Sequence, residues 1–120
     1  MRVQGIRGAT TCAVDTREEI VARTKDLISE MLTRNGVETD DVVSVVLTAT
    51  DDLHAEFPAA GARAAGLTGV ALLGAREVDV DGGLERCIRV LMLAYTARDR
   101  SELRHVYLEG AVALPRELPE

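Results

Sequence analysis

The chain is nearly without aromatic side chains: no Trp, one Phe and two Tyr occur among its 120 residues. Aromatics supply the largest apolar burial per residue, so Ala, Val and Leu must fill the core, and a lone monomer is expected to be marginal. Oligomerisation is one way to bury more apolar area. A net charge of −6, with no basic stripe and no interleaved aromatic set, argues against a nucleic-acid partner. Cysteine is scarce as well. Cys12 and Cys87 make neither a disulfide framework nor a metal motif; both fall in strand-like runs and read as reduced core thiols. No stretch approaches the roughly 18 apolar residues of a membrane span, and the opening MRVQGIRGAT has no apolar signal segment. The expected location is the cytoplasm, with no membrane partner. One domain, residues 1–120, is expected from the length, with residues 115–120 as a mobile tail.

What is present is a patterned α+β sequence. Residues 2–14 read as a strand, bent or closely approached at Gly5 and Gly8, with Arg7 between them. Thr16 and Glu19 have the spacing of a reciprocal capping box. Ile20, Leu27, Ile28, Met31 and Leu32, with Thr24 in register, form one helical face. Asn35-Gly36 is a C-terminal cap signal. Residues 42–49 (VVSVVLTA) read as a central strand, 50–58 as a polar connection and 59–65 as a short helix. A short strand is expected at 70–73, a loop at 74–83 carrying Arg76, Glu77 and Asp79, and a long strand within 84–96. A charged loop at 97–103, a strand at 104–109 and a helical turn at 111–114 complete the reading. Helices on one face of a mixed sheet fit this order.

The long strand holds an anomaly. Alternation in Cys87-Ile88-Arg89-Val90-Leu91-Met92-Leu93-Ala94 puts Ile88, Val90 and Met92 on one face and Cys87, Arg89, Leu91 and Leu93 on the other. Both faces are apolar, yet one carries a guanidinium. An unpaired buried charge is very costly, so Arg89 calls for an anion from the protein or from a ligand. An arginine whose head group simply reaches solvent is the plainer alternative. The second apolar face suggests packing against another subunit.

Other constellations are weak. His54, among Asp51, Asp52 and Glu56, matches no tight metal-ligand pattern. Gly82-Gly83 lacks the Lys-Ser/Thr of a phosphate loop and reads as a turn. His105 has no obvious Ser or Cys partner. Arg7, Arg63, Arg89, Tyr107 and Glu77 remain, and together they would suit a pocket for a small polyanion, since arginines grip carboxylates in bidentate fashion.

Four segments carry a resemblance: Gly5-Ile6-Arg7-Gly8-Ala9-Thr10-Thr11; Ala49-Thr50-Asp51-Asp52-Leu53-His54-Ala55-Glu56-Phe57-Pro58-Ala59; Asp79-Val80-Asp81-Gly82-Gly83-Leu84 with Cys87-Ile88-Arg89-Val90; and Arg104-His105-Val106-Tyr107-Leu108-Glu109. In order and spacing, from Val3 to about Leu118, the chain resembles the AroH-type chorismate mutases, the monofunctional class typified by Bacillus. The resemblance implies a homotrimer whose mixed sheets form a pseudo-α/β barrel, with sites in clefts between subunits. It implies the Claisen rearrangement of chorismate to prephenate, on the route to phenylalanine and tyrosine, with no cofactor and no metal. It places Arg89 beside the breaking ether oxygen, Arg7 and Tyr107 on carboxylate oxygens, and Glu77 on the ring hydroxyl. Phe57, Ala59, Leu72, Leu73, Gly74 and Leu114 would line the site, with Arg63 at its entrance. The chain departs from the family where Gly74 replaces a Cys or other polar residue and Leu73 a Thr. The stretch between Arg63 and Val70 is one residue shorter. The tail reads Leu114-Pro115-Arg116-Glu117-Leu118 in place of Leu-Arg-Pro-Asp-Leu, which shifts Arg116 by one place. Two other classes fit the residues alone: a non-catalytic trimer binding a small carboxylate metabolite, and an imine deaminase of similar architecture.

Overall fold

The computed structural model describes residues 1–114. The chain forms β1 (Arg2–Thr11), α1 (Arg17–Asn35), β2 (Val42–Ala49), α2 (Ala59–Ala64), β3 (Ala71–Arg76), β4 (Cys87–Thr96) and β5 (Val106–Tyr107). Short 3-10 turns lie at Thr39–Asp41, Arg100–Glu102 and Glu109–Ala113. The strands make one mixed sheet in the order β3-β2-β4-β1-β5. β4 runs antiparallel to β1 and β2, while the outer strands β3 and β5 run parallel to their neighbours. The expected α+β class is what forms. Residues 115–120, with Arg116 and the expected mobile tail, lie outside the described residues.

α1 begins and ends where its local chemistry dictates. The Thr16 side chain accepts from the Glu19 N–H at 3.1 Å, and Gly36 closes the helix in the left-handed region at φ 61°. The capping box is only half made: the Glu19 carboxylate accepts instead from the Ala13 N–H at 2.7 Å, and so ties the incoming loop to the helix. Ile20, Thr24, Leu27, Ile28, Met31 and Leu32 are all buried. Asn35 has a second role. Its side chain donates to the carbonyls of Met31 and Arg104 and accepts from the Arg104 N–H, which pins the chain just before β5 to the end of α1.

α1 and α2 cover one face of the sheet. Ile6 on β1, Val45 and Leu47 on β2, and Val90 and Met92 on β4 form that face, each at most 3% exposed, and pack with Leu27, Ile28 and Met31. The fit is close at Gly8, where a Cβ would lie 2.5 Å from Met31 Sδ, so α1 can approach β1 only because that side chain is missing. This main core cluster holds no aromatic side chain, as the composition requires.

Three strands differ from the sequence reading, the first being β1, which ends at Thr11 and not at residue 14. β3 runs through Arg76 rather than stopping at Leu73, because its ladder with β2 continues from Ser44↔Ala71 to Ala49↔Arg76. Gly74 sits inside this edge strand and does not open a loop. β5 is only two residues long. Its pairing with β1 ends after Leu108 donates to the Ala9 carbonyl at 2.9 Å, and Glu109, at φ 51°, turns the chain into the last 3-10 turn.

Candidate active site

The face of the sheet opposite the helices carries the chemistry. Paired residues of neighbouring strands point to the same face, so one transverse row runs Tyr107, Ala9, Arg89, Thr48, Ala75 across all five strands. The adjacent row is Arg7, Leu91, Val46, Leu73. The alternation in β4 thus puts Arg89 and Leu91 together, and β1 brings Arg7 beside them. Glu77 follows directly after β3, its N–H donating to the Ala49 carbonyl at 2.9 Å. These elements enclose a cleft of about 260 Å³ lined by Arg7, Ala9, Thr48, Glu77, Arg89, Leu91, Tyr107 and Leu114. A neighbouring cleft of about 410 Å³, between the Thr50–Asp52 segment and residues 77–84, shares Glu77 and Arg89 with it.

The anion that meets Arg89 within the chain is Glu77, at 3.5 Å from Arg89 Nε to Glu77 Oε2. The pair is partly open: the Arg89 side chain is 44% exposed and that of Glu77 21%. Thr48 Oγ1 donates to the same Oε2 at 2.6 Å. Two guanidiniums and one carboxylate line the first cleft, so it is locally cationic in a chain of net charge −6. Arg89 is therefore neither deeply buried nor a free surface charge. It is half-open, and its position is held.

Several groups fix the backbone that carries these side chains. The Arg7 N–H donates to Nδ1 of His105 at 3.0 Å; the buried imidazole accepts, so it is neutral there, and burial together with the Arg7 charge lowers its pKa. Tyr107 is buried with Ala9 and Ala111 beneath the last turn, with Leu114 packed against them. That turn is tied down by Arg23 to Glu109 at 2.7 Å and by the Gly110 N–H to Thr11 Oγ1. At the start of β4, Asp52 accepts from the Arg86 N–H while Thr50 Oγ1 accepts from the Cys87 N–H. Arg86 itself lies at φ 47°.

Both thiols are free and buried. Burial, reinforced by the Glu19 carboxylate, raises Cys12 to about 11, and burial also raises Cys87. Neither is a thiolate nucleophile at neutral pH. His54 is exposed, and no cluster able to hold a metal ion occurs among the described residues.

The remaining residues expected to line the site lie elsewhere on the chain. Phe57, 75% exposed, and Gly74 line a separate cleft of about 510 Å³ that shares no residue with the arginine cleft. Ala59 and Leu72 pack against the core, so the Leu72 side chain faces the helices and not Arg89. Leu73 is 64% exposed in the row that contains Arg7. Arg63 is exposed on α2. Within one chain, Arg7, Glu77, Arg89, Tyr107 and Leu114 come together, while Phe57, Ala59, Arg63, Leu72 and Gly74 do not join them. Sequence reasoning missed Thr48; its only signal was alternation with Val46 on the open face of β2.

A family model described as chorismate mutase type I matches residues 3–118. The chain belongs to the type I chorismate mutases. It is 45% identical over 119 residues to chorismate mutase AroH of Bacillus subtilis, covering 98% of this chain and 94% of that protein. It is 46% identical over 117 residues to chorismate mutase AroH of Thermus thermophilus, covering 97% and 96%. Among solved structures, a chorismate mutase from Clostridium thermocellum superposes with a TM-score of 0.90 at 50% identity, covering 92% of this chain and 99% of that one. The matched residues include the strands that carry Arg7, Arg89 and Tyr107. The likeness points to neither a non-catalytic carboxylate module nor an imine deaminase.

Proposed function

We propose that this chorismate mutase acts on chorismate in a homotrimer, with each site completed between two copies, on the cytoplasmic route to phenylalanine and tyrosine. No helix among the described residues is long and apolar enough to cross a membrane. The observation that carries the reading is the half-open row on the uncovered sheet face, with two guanidiniums, one carboxylate and a tyrosine converging on one cleft. Phe57, Ala59, Arg63 and Gly74, displaced from that cleft within the chain, form the opposing wall supplied by a neighbour. Leu91 and Leu73, 43% and 64% exposed, become covered in the assembly.

The chemistry follows from the side chains. Chorismate is a flexible dianion; Arg7 and Tyr107 hold carboxylate oxygens, and Glu77 accepts from the ring hydroxyl. Held in a compact chair-like form, the substrate breaks its ether C–O bond as the new C–C bond forms. Most of the gain is positional. Negative charge grows on the ether oxygen as the bond opens, and Arg89 stabilises it in surroundings dried by the neighbouring copy. No proton is exchanged and no nucleophile attacks, which fits two raised thiols and a neutral buried histidine.

Purified protein mixed with chorismate, without added metal, should lose the chorismate absorbance and yield prephenate, and its mass in solution should be that of three chains. A folded trimer that leaves chorismate unchanged would sink this reading. The rate should stay flat across neutral pH; a bell-shaped kcat profile centred there would mark proton transfer instead.

A further inference from the structure

We infer that Thr48 is a positioning residue for the rearrangement: its hydroxyl aims the Glu77 carboxylate. The inference rests on the chorismate mutase reading above and adds a residue to it. Glu77 lies one residue past the end of β3, and its backbone is held by the bond from its N–H to the Ala49 carbonyl. Its side chain is long, and holding it in one rotamer costs conformational entropy. Thr48 is the opposite case. It stands inside β2, paired on one side with Arg89 of β4 and on the other with Ala75 of β3, and its branched Cβ makes χ1 stiff.

The contact between them is short. Thr48 Oγ1 donates to Glu77 Oε2 at 2.6 Å, the length of a charge-assisted hydroxyl–carboxylate bond. Arg89 Nε approaches the same oxygen at 3.5 Å. Both contacts fall on Oε2, which leaves Oε1 to accept from a ligand hydroxyl. One rigid hydroxyl therefore sets two things: the direction of Glu77, and the spacing between Glu77 and Arg89. Removing it frees the carboxylate to swing onto the guanidinium or out to solvent, and either movement weakens the hold on the substrate.

The test separates the hydroxyl from the shape of the side chain. Thr48→Val keeps the branched outline and loses the donor; Thr48→Ser loses the methyl group and keeps the donor. Thr48→Val should lower kcat/KM about ten- to a hundredfold, the range for losing a hydrogen bond to a charged group, with unchanged Tm, and Thr48→Ser should restore most of the rate. If Thr48→Val fails to fold, Thr48→Ala is read in its place with the same expectation. Near-full activity in Thr48→Val, or a loss in Thr48→Ser as large as in Thr48→Val, would overturn the inference. Wild-type protein without activity would instead overturn the underlying reading, so the two failures are distinguishable.

Discussion

The two faces of the sheet are built from the same strands by strict alternation, yet they obey different rules. On the helix face, Ile6, Leu47, Val90 and Met92 are at most 3% exposed and contain no charge. On the other face, Leu91, Leu73 and Tyr95 stand 43%, 64% and 48% exposed beside two arginines and a glutamate. The first face is complete within one chain, and its residues answer to packing. The second has apolar residues uncovered and charges only partly met, which is the pattern of a surface finished by another copy and by a ligand. Substitutions on the first face should cost stability, and those on the second should cost rate.

Arg89→Ala should produce the largest change. It should lose at least the ~3–4 kcal/mol of transition-state stabilisation typical of one oxyanion donor, read as kcat/KM, with little shift in Tm. Arg89→Lys should also be poor, since a point-like ammonium does not reproduce the planar fork; near-full activity in that variant would show that a point charge suffices at the ether oxygen. Leu27→Ala, on the helix face, should do the reverse. It empties a fully buried site and should lower unfolding free energy by about 3 kcal/mol, while kcat/KM of the folded protein holds. If either variant moved both quantities alike, the division between the faces would fail.

The smallest effect joins the two faces. His105 is buried and accepts from Arg7, and its pKa is depressed by burial and by the Arg7 charge. As pH falls below about 6.5, the unfolded chain takes up a proton that the folded chain refuses. Stability should therefore fall with decreasing pH through that window and level off below the folded-state pKa. Urea titrations at stepped pH would show it, and a stability unchanged or rising towards acid would contradict the neutral, accepting His105.

Much of the helix face was legible in the sequence because its causes are local. Thr16 and Gly36 sit at the ends of α1, and the apolar spacing between them marks the side that packs. The open face was legible only in part. Arg89 stood out because a charge interrupts an apolar alternation within eight residues. Glu77 does lie in the expected loop, but nothing local reveals that β3 continues past Gly74 to Arg76, directly before it, until β2 is there to pair with it. Thr48 gives no sign beyond its alternation with Val46, because its partner is 29 residues away and a threonine in a β-branched run looks like any other. Asn35 reads in the sequence as part of a cap, while in the fold its amide clamps Arg104 across 69 residues. Phe57 and Gly74 line a cleft that shares no residue with that of Arg89, so nothing within one chain joins them.

The central claim is that the arginine cleft of one copy is completed by the Phe57 side of another, and mixing two inactive variants tests it directly. Arg89→Ala disables the first half-site and Phe57→Asp the second. When the two are unfolded together and reassembled as mixed trimers, some clefts combine an intact Arg89 with an intact Phe57. The account predicts that chorismate turnover returns to a substantial fraction of wild type, well above the sum of the separate variants. Turnover that stays at that sum in verified mixed trimers would show that each site is built from a single chain.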